Sequence, residues 1–289
     1  MEKKISLIAL DMDGTLFNNK SQISDIDGQA IRTAIENGIE VVISTGRPYV
    51  GLPQKLLQNL GIRYAITANG AAIYRLWDKK CLYSNCMPPA LVSPIIQKLQ
   101  QETIHIDAFI QGDSYSQNSC KPMINHLDMP VSIREYIKAT RIYTDDLVAF
   151  IQEQNLSVQK MTLNFCRNED GVYVSREAAK NILRSHPEVT FLSGGYHNLE
   201  FTRAGTTKGK GLLHLCALLG ISIHETMACG DTSNDIDILR TAEIGVAMAN
   251  ATEQVKEIAN YTTRSNEEYG VAHAISHFTN LPLIPDASF

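Results

Sequence analysis

Residues 8–16 read Ile-Ala-Leu-Asp-Met-Asp-Gly-Thr-Leu, an apolar run that ends in two carboxylates, Asp11 and Asp13. A strand covered on both faces carries a continuous hydrophobic run of this kind, without alternation. The carboxylates then stand at the carboxyl end of a strand, where an open α/β sheet holds its ligands. Residues two apart share a side only while the chain stays extended, and Gly14 lets the backbone turn just after Asp13. Three readings are open at this point: solvated acids in a turn, a metal site, or a nucleophile beside its proton donor.

Outward from this strand, strand-like and helix-like segments alternate, which favours an α/β fold with a parallel sheet. Residues 25–38 space Ile26, Ala30, Ile31, Ala34 and Ile35 as one helix face and stop at Gly38. "IEVVIST" is a second buried strand, and one helix is expected through "YVGLPQKLLQNLG". "RYAITAN" is a third strand ending at Asn69-Gly70, followed by a hairpin around Asp78-Lys79-Lys80. From Pro88 the rhythm changes to helix-strand groups, with a poorly patterned stretch from Ser119 to Thr144. Core-like rhythm returns with "NLEFT", the helix "KGKGLLHLCALLG", the strand "ETMACG" and the closing helices. The expected organisation is a core of residues 1–83 and 195–289 interrupted by an α+β insert, residues 84–194.

The bulk properties exclude several classes. A net charge of -5 argues against a nucleic-acid footprint, and the tyrosines lack interleaved basic residues. No run of about 18 apolar residues is present, so no membrane-spanning helix is expected. The start of the chain reads as a first strand rather than a signal peptide. Six cysteines are spread without a CxxC pair, and Cys81 and Cys86 lack the neighbours a zinc site needs. Reduced thiols and a cytoplasmic location are expected.

Other strand ends also carry chemistry. The second strand delivers Ser44, Thr45, Gly46 and Arg47, and "ACGDTSND" delivers Asp231, Asn234 and Asp235. A helix start at "GTTKGKG" adds Lys208 and Lys210. Carboxylates, a hydroxyl, a lysine and backbone amides are the groups that phosphoryl transfer requires, with Mg²⁺ as the hard cation that offsets anionic repulsion. One carboxylate can attack phosphorus while the other gives a proton to the leaving oxygen and later takes one from water. His273 and His277 lie four apart but lack a third ligand, and they read as ordinary helix residues.

"DMDGTL" resembles the DxDGT signature of the haloacid-dehalogenase-like (HAD) hydrolases, and "STGRP" is similar to their second motif. "TTKGKG" resembles the third motif and "GDTSNDIDIL" the fourth. The closing stretch from Ile244 to Ile275 looks like the tail of the Cof-type sugar-phosphate phosphatases. The resemblance implies a Rossmann-like parallel-sheet core with an inserted α+β cap domain that closes over the site and selects the substrate. It casts Asp11 as nucleophile, forming an aspartyl-phosphate, and Asp13 as general acid/base with its carbonyl on Mg²⁺. Thr45 and Lys208 would bind the phosphoryl group, with Asn234 as a further phosphate contact and Gly46 and Arg47 near the substrate. Mg²⁺ would be held by Asp11, Asp13 and Asp231, with Asp235 as ligand or support. In the cap, Tyr115, Asn118, His126 and Tyr196 are candidate substrate contacts. The implied activity is Mg²⁺-dependent hydrolysis of a small phosphorylated metabolite, most plausibly a sugar phosphate. The rivals are a phosphotransferase or mutase of the same superfamily, a phospho-accepting signalling domain, and a metabolite-binding protein without turnover. Signalling receivers lack the second acid and the insert.

Overall fold

The computed structural model describes residues 4–282 of the chain. The first stretch runs β1 (Leu7–Leu10), α1 (Asp25–Glu36), β2 (Glu40–Ser44), α2 (Gln54–Asn59), β3 (Tyr64–Thr67), β4 (Ala72–Arg75) and β5 (Lys80–Ser84). The middle runs α3 (Pro89–Leu99), β6 (His105–Ile110), β7 (Asp113–Gln117), α4 (Val131–Thr140), β8 (Arg141–Thr144), α5 (Leu147–Glu153), β9 (Lys160–Asn164), α6 (Arg176–Arg184), β10 (Val189–Ser193) and β11 (Leu199–Arg203). The last stretch runs α7 (Lys208–Leu219), β12 (Thr226–Gly230), α8 (Ile236–Thr241), β13 (Ile244–Ala247), α9 (Glu253–Ile258), β14 (Tyr261–Thr262) and α10 (Gly270–Thr279).

The chain divides into two compact units. The first holds an eight-stranded sheet in the order β14-β13-β12-β1-β2-β3-β4-β5. Strand β1 pairs in parallel with β2 on one side and β12 on the other. The strand order therefore reverses beside β1, which opens a crevice at the carboxyl ends of β1 and β12. Every residue of β1 and β12 is buried, as the unbroken apolar runs require. The hairpin of β4 and β5 is held at its turn by Arg75, whose guanidinium pairs with Asp78.

Helix α1 shows how local chemistry is tied into this core. Ser24 caps it by accepting the Asp27 N–H at 3.0 Å, and Gly38 follows its end at φ +83°. The buried Asp27 carboxylate accepts the Ser24 hydroxyl at 2.6 Å and the Ala272 N–H of α10 at 2.8 Å. Burial raises the Asp27 pKa, against the pull of those two hydrogen bonds.

The second unit comprises residues 47–52 and 84–206. Its sheet runs β10-β11-β9-β6-β7-β8, antiparallel except for the β7–β8 pair. Ile106, Ala108 and Ile110 of β6 join Met161 and Leu163 of β9 in a core with α3, α5 and α6. The intervening positions of the same strands, His105, Asp107, Lys160 and Asn164, are buried polar groups. Asp107 accepts two hydrogen bonds from Arg141, at 3.0 and 2.7 Å, and Lys160 pairs with Glu200 at 2.6 Å.

Several expectations are corrected. The return to the core falls at 206–207 rather than 194–195, because β11 pairs with β9 and β10 and buries Leu199 and Phe201 in the second unit's core. Alternation in "LEFT" is the mark of such a strand, since only one side of it meets the apolar core. Residues 47–52 also group with the second unit, where the Val50 N–H donates to Gly112 at 2.8 Å. The single helix expected over 49–61 is a 3-10 turn at Tyr49–Gly51 followed by α2 after Pro53. The unpatterned stretch contains α4 and β8, with Ile124, Leu127 and Ile137 forming a small cluster.

Replacing Asp27 by alanine leaves the Ala272 N–H without its buried acceptor, so a loss of about 1–3 kcal/mol is expected. Urea unfolding measures it, and an unchanged midpoint would contradict the assigned role.

Candidate active site

The opening carboxylates sit where β1 gives way to a turn. The Asp11 N–H still donates across the sheet to Cys229 at 3.1 Å. The chain then curls back, with Phe17 N–H on the Met12 carbonyl at 2.8 Å. Gly14 permits this at φ +85°, and its missing side chain matters as much. A Cβ there would stand 2.3 Å from Asp231 Oδ2. Asp11 is buried whereas the Asp13 side chain is exposed, so the pair occupies two different environments.

On the neighbouring strand, Asp231 follows the end of β12 and Asp235 follows a short turn. Asp235 Oδ2 accepts the N–H groups of Asp231 and Thr232, each at 3.0 Å, and so fixes the loop. Asp231 Oδ1 accepts the Thr15 hydroxyl at 2.9 Å, which ties the two strand ends together. Lys208 opens α7, whose cap is Thr207, accepting the Lys210 N–H at 3.1 Å. The Lys208 ammonium donates to Asp11 Oδ1 at 2.7 Å and to Asp235 Oδ1 at 2.6 Å.

These groups carry uncompensated negative charge. Burial alone would lower the Lys208 pKa, but the Asp11 and Asp235 carboxylates outweigh it and hold the ammonium above its usual range. Asp11 is pushed well above the carboxylate range by burial and then by the Asp235 charge, against the pull of Lys208. Asp231 is raised to about 6, again by burial first and Asp235 second. One lysine does not balance three acids.

Ligand oxygens of Asp11, Asp231 and Asp235 lie within 4.8 Å of one another. Hard oxygen donors with excess negative charge suit Mg²⁺. Both Asp235 oxygens are engaged by Lys208 and the loop amides, so Asp11 and Asp231 are the carboxylates best placed to meet a cation directly.

The remaining expected residues distribute as follows. Thr45, buried at the end of β2, is locked to β3 by its N–H on the Ile66 carbonyl at 2.9 Å. Gly46, half-buried, ends this segment of the first unit. Asn234 donates to Asn69 Oδ1 at 3.4 Å and accepts the Thr232 hydroxyl at 2.8 Å. Arg47 falls in the second unit and donates to the Gly51 carbonyl at 3.1 Å. Asp11, Asp231, Asp235 and Lys208 are thus brought together directly. Thr15 and Asn250, neither singled out from sequence, and Asn69, expected only as a turn at the end of the third strand, support the loops; Asn250 donates to the Gly14 carbonyl at 2.8 Å. For Thr15 the only signal was its place inside "DGTL". His273 and His277 stack with Tyr261 on the first unit, as helix residues.

The haloacid dehalogenase-like hydrolase family matches residues 8–275, and the chain belongs to it. Phosphatase YwpJ of Bacillus subtilis is 32% identical, over 94% of this chain and 99% of that protein. A second B. subtilis relative, 5-amino-6-(5-phospho-D-ribitylamino)uracil phosphatase YcsE, is 30% identical over 95% of this chain and 96% of its own. Among solved structures, the subclass IIB sugar phosphatase BT4131 superposes with a TM-score of 0.76 at 26% identity, covering 96% of this chain and all of that one (100%).

The raised Asp231 pKa has a sign that can be tested. A folded-state value of about 6 against 3.8 in the open chain means the folded protein binds the extra proton, so this group favours folding at low pH. Metal-free protein should lose stability relative to Asp231→Asn as pH rises through that window. Urea titrations across the range read the difference, and a flat difference would show that Asp231 is not held in a charge-crowded site.

Proposed function

We propose that the chain is a Mg²⁺-dependent phosphomonoesterase that hydrolyses small phosphorylated metabolites, sugar phosphates foremost, through an aspartyl-phosphate on Asp11. The observation that carries this is the Lys208 ammonium bonded to Asp11 inside the carboxylate cluster at the strand ends. With Oδ1 held by Lys208, the second oxygen of Asp11 is oriented as the attacking atom. Asp13, exposed and just past the strand, gives its proton to the leaving oxygen as the bond from phosphorus to that oxygen breaks. It then takes a proton from water, whose oxygen displaces Asp11 from phosphorus and restores both acids. Thr45, Lys208 and Asn234 hold the phosphoryl oxygens while charge redistributes. Bound at Asp11 and Asp231, Mg²⁺ would supply the charge compensation that lets a carboxylate approach a phosphate.

Substrate choice is assigned to the second unit. Within that unit, Asp128, Arg134, Tyr196 and His197 line an open recess that carries hydrogen-bonding groups and ring faces. The names of the two substrate-specified relatives, a sugar phosphatase and a phosphoribitylaminouracil phosphatase, support a small polyol-bearing phosphate ester. Six free thiols among the described residues support a reducing, cytoplasmic setting.

The test is hydrolysis of a panel of phosphorylated metabolites with Mg²⁺, ranked by kcat/KM. Asp11→Asn should lose at least about a thousandfold in kcat, since the nucleophile itself is removed. Excess chelator should silence the wild type, and added Mg²⁺ should restore it. Phosphate release that survives either change would contradict the mechanism.

A further inference from the structure

Three consecutive residues between β3 and β4 have positive φ: Ala68 at +52°, Asn69 at +57° and Gly70 at +95°. Glycine adopts this region freely and asparagine tolerates it, but an alanine there costs roughly 1–2 kcal/mol. A turn joining two antiparallel strands has other ways to close. Such strain persists only where the surroundings over-determine it, and it concentrates at functional sites.

The surroundings here are the elements of the candidate active site. Ala68 and Asn69 are buried, at 0% and 4% exposure. The Asn69 N–H donates to the Thr45 carbonyl at 3.1 Å. Asn69 Oδ1 accepts Nδ2 of Asn234 at 3.4 Å, while the Asn234 carbonyl oxygen is pinned by the Thr232 hydroxyl at 2.8 Å. Both ends of the Asn234 amide are thus engaged. Gly70 seats the start of α7: a Cβ there would lie 2.0 Å from the Thr207 carbonyl oxygen and 3.1 Å from the Lys208 nitrogen. One strained turn therefore touches the backbone of Thr45, the side chain of Asn234 and the backbone at Lys208.

We propose that Asn69 is a positioning residue for the phosphoryl pocket, orienting the Asn234 amide toward the phosphate while its turn sets the spacing of Thr45 and Lys208. This rests on the assignment of that pocket to phosphate made above.

Asn69→Gly separates side chain from backbone, because glycine keeps the left-handed conformation while the side-chain amide, with the Oδ1 that accepts from Asn234, is removed. Orthophosphate binding in the presence of Mg²⁺, followed by calorimetry, should weaken roughly tenfold, the value of one lost hydrogen bond. Against a substrate, KM should rise with kcat nearly unchanged, as for loss of binding common to ground and transition states. The melting temperature should stay close to that of the wild type. In an Asn234→Ala background the same change should have little further effect on either quantity. Wild-type affinity in Asn69→Gly, or effects that multiply in the double variant, would overturn the proposal. Wild-type protein that binds orthophosphate but hydrolyses no ester would defeat the enzymatic assignment and leave this one to be judged on binding. Wild-type protein that binds no orthophosphate would defeat both.

Discussion

One buried cation organises the site. Lys208 is inaccessible to solvent, and its ammonium is divided between Asp11 and Asp235, from opposite sides of the chain's central insertion. A buried ion pair of this kind adds little net stability, since desolvating both partners offsets their attraction. It also stands at the first residue of a helix, where the peptide dipoles disfavour positive charge. An apolar trio of similar shape would pack at lower cost. The arrangement instead fixes one oxygen of Asp11 and leaves the surrounding charge negative, which suits a divalent cation.

The parallel sheet makes this arrangement possible. Strands β1 and β12 run side by side in register, Leu10 against Cys229, so the residues just beyond them emerge together. Sequence separation is then irrelevant: Thr15 reaches Asp231 across 216 positions. Close approach is as important as alignment. Gly14 and Gly70 both occupy places where a single added carbon would collide, with the Asp231 carboxylate in one case and the α7 backbone in the other.

Much of this was legible in the chain. Apolar runs ending in acids, hydroxyls or a Gly-Asp pair marked the strand ends, and the alternation of elements placed those ends on one edge of a parallel sheet. The helix start offered both Lys208 and Lys210, and only the motif chose between them, because nothing local says which of two such lysines is buried. The insertion's far boundary was misplaced, since a short alternating strand reads alike in either unit until its partners are known. Residues 47–52 join the second unit through backbone contacts that leave no pattern in sequence. Asn69 passed for an ordinary turn residue, its role resting on left-handed backbone angles and on contacts to segments far away in the chain.

The central claim is that the Asp11 side chain becomes esterified to phosphorus during turnover. Rapid acid quenching of enzyme mixed with excess substrate, followed by proteolysis and mass spectrometry, tests it directly. The account predicts a phosphoryl group on the peptide containing Asp11, localised to that residue and absent without Mg²⁺. A phosphoryl group on a different residue, or substrate turning over with no residue phosphorylated at any quench time, would contradict it.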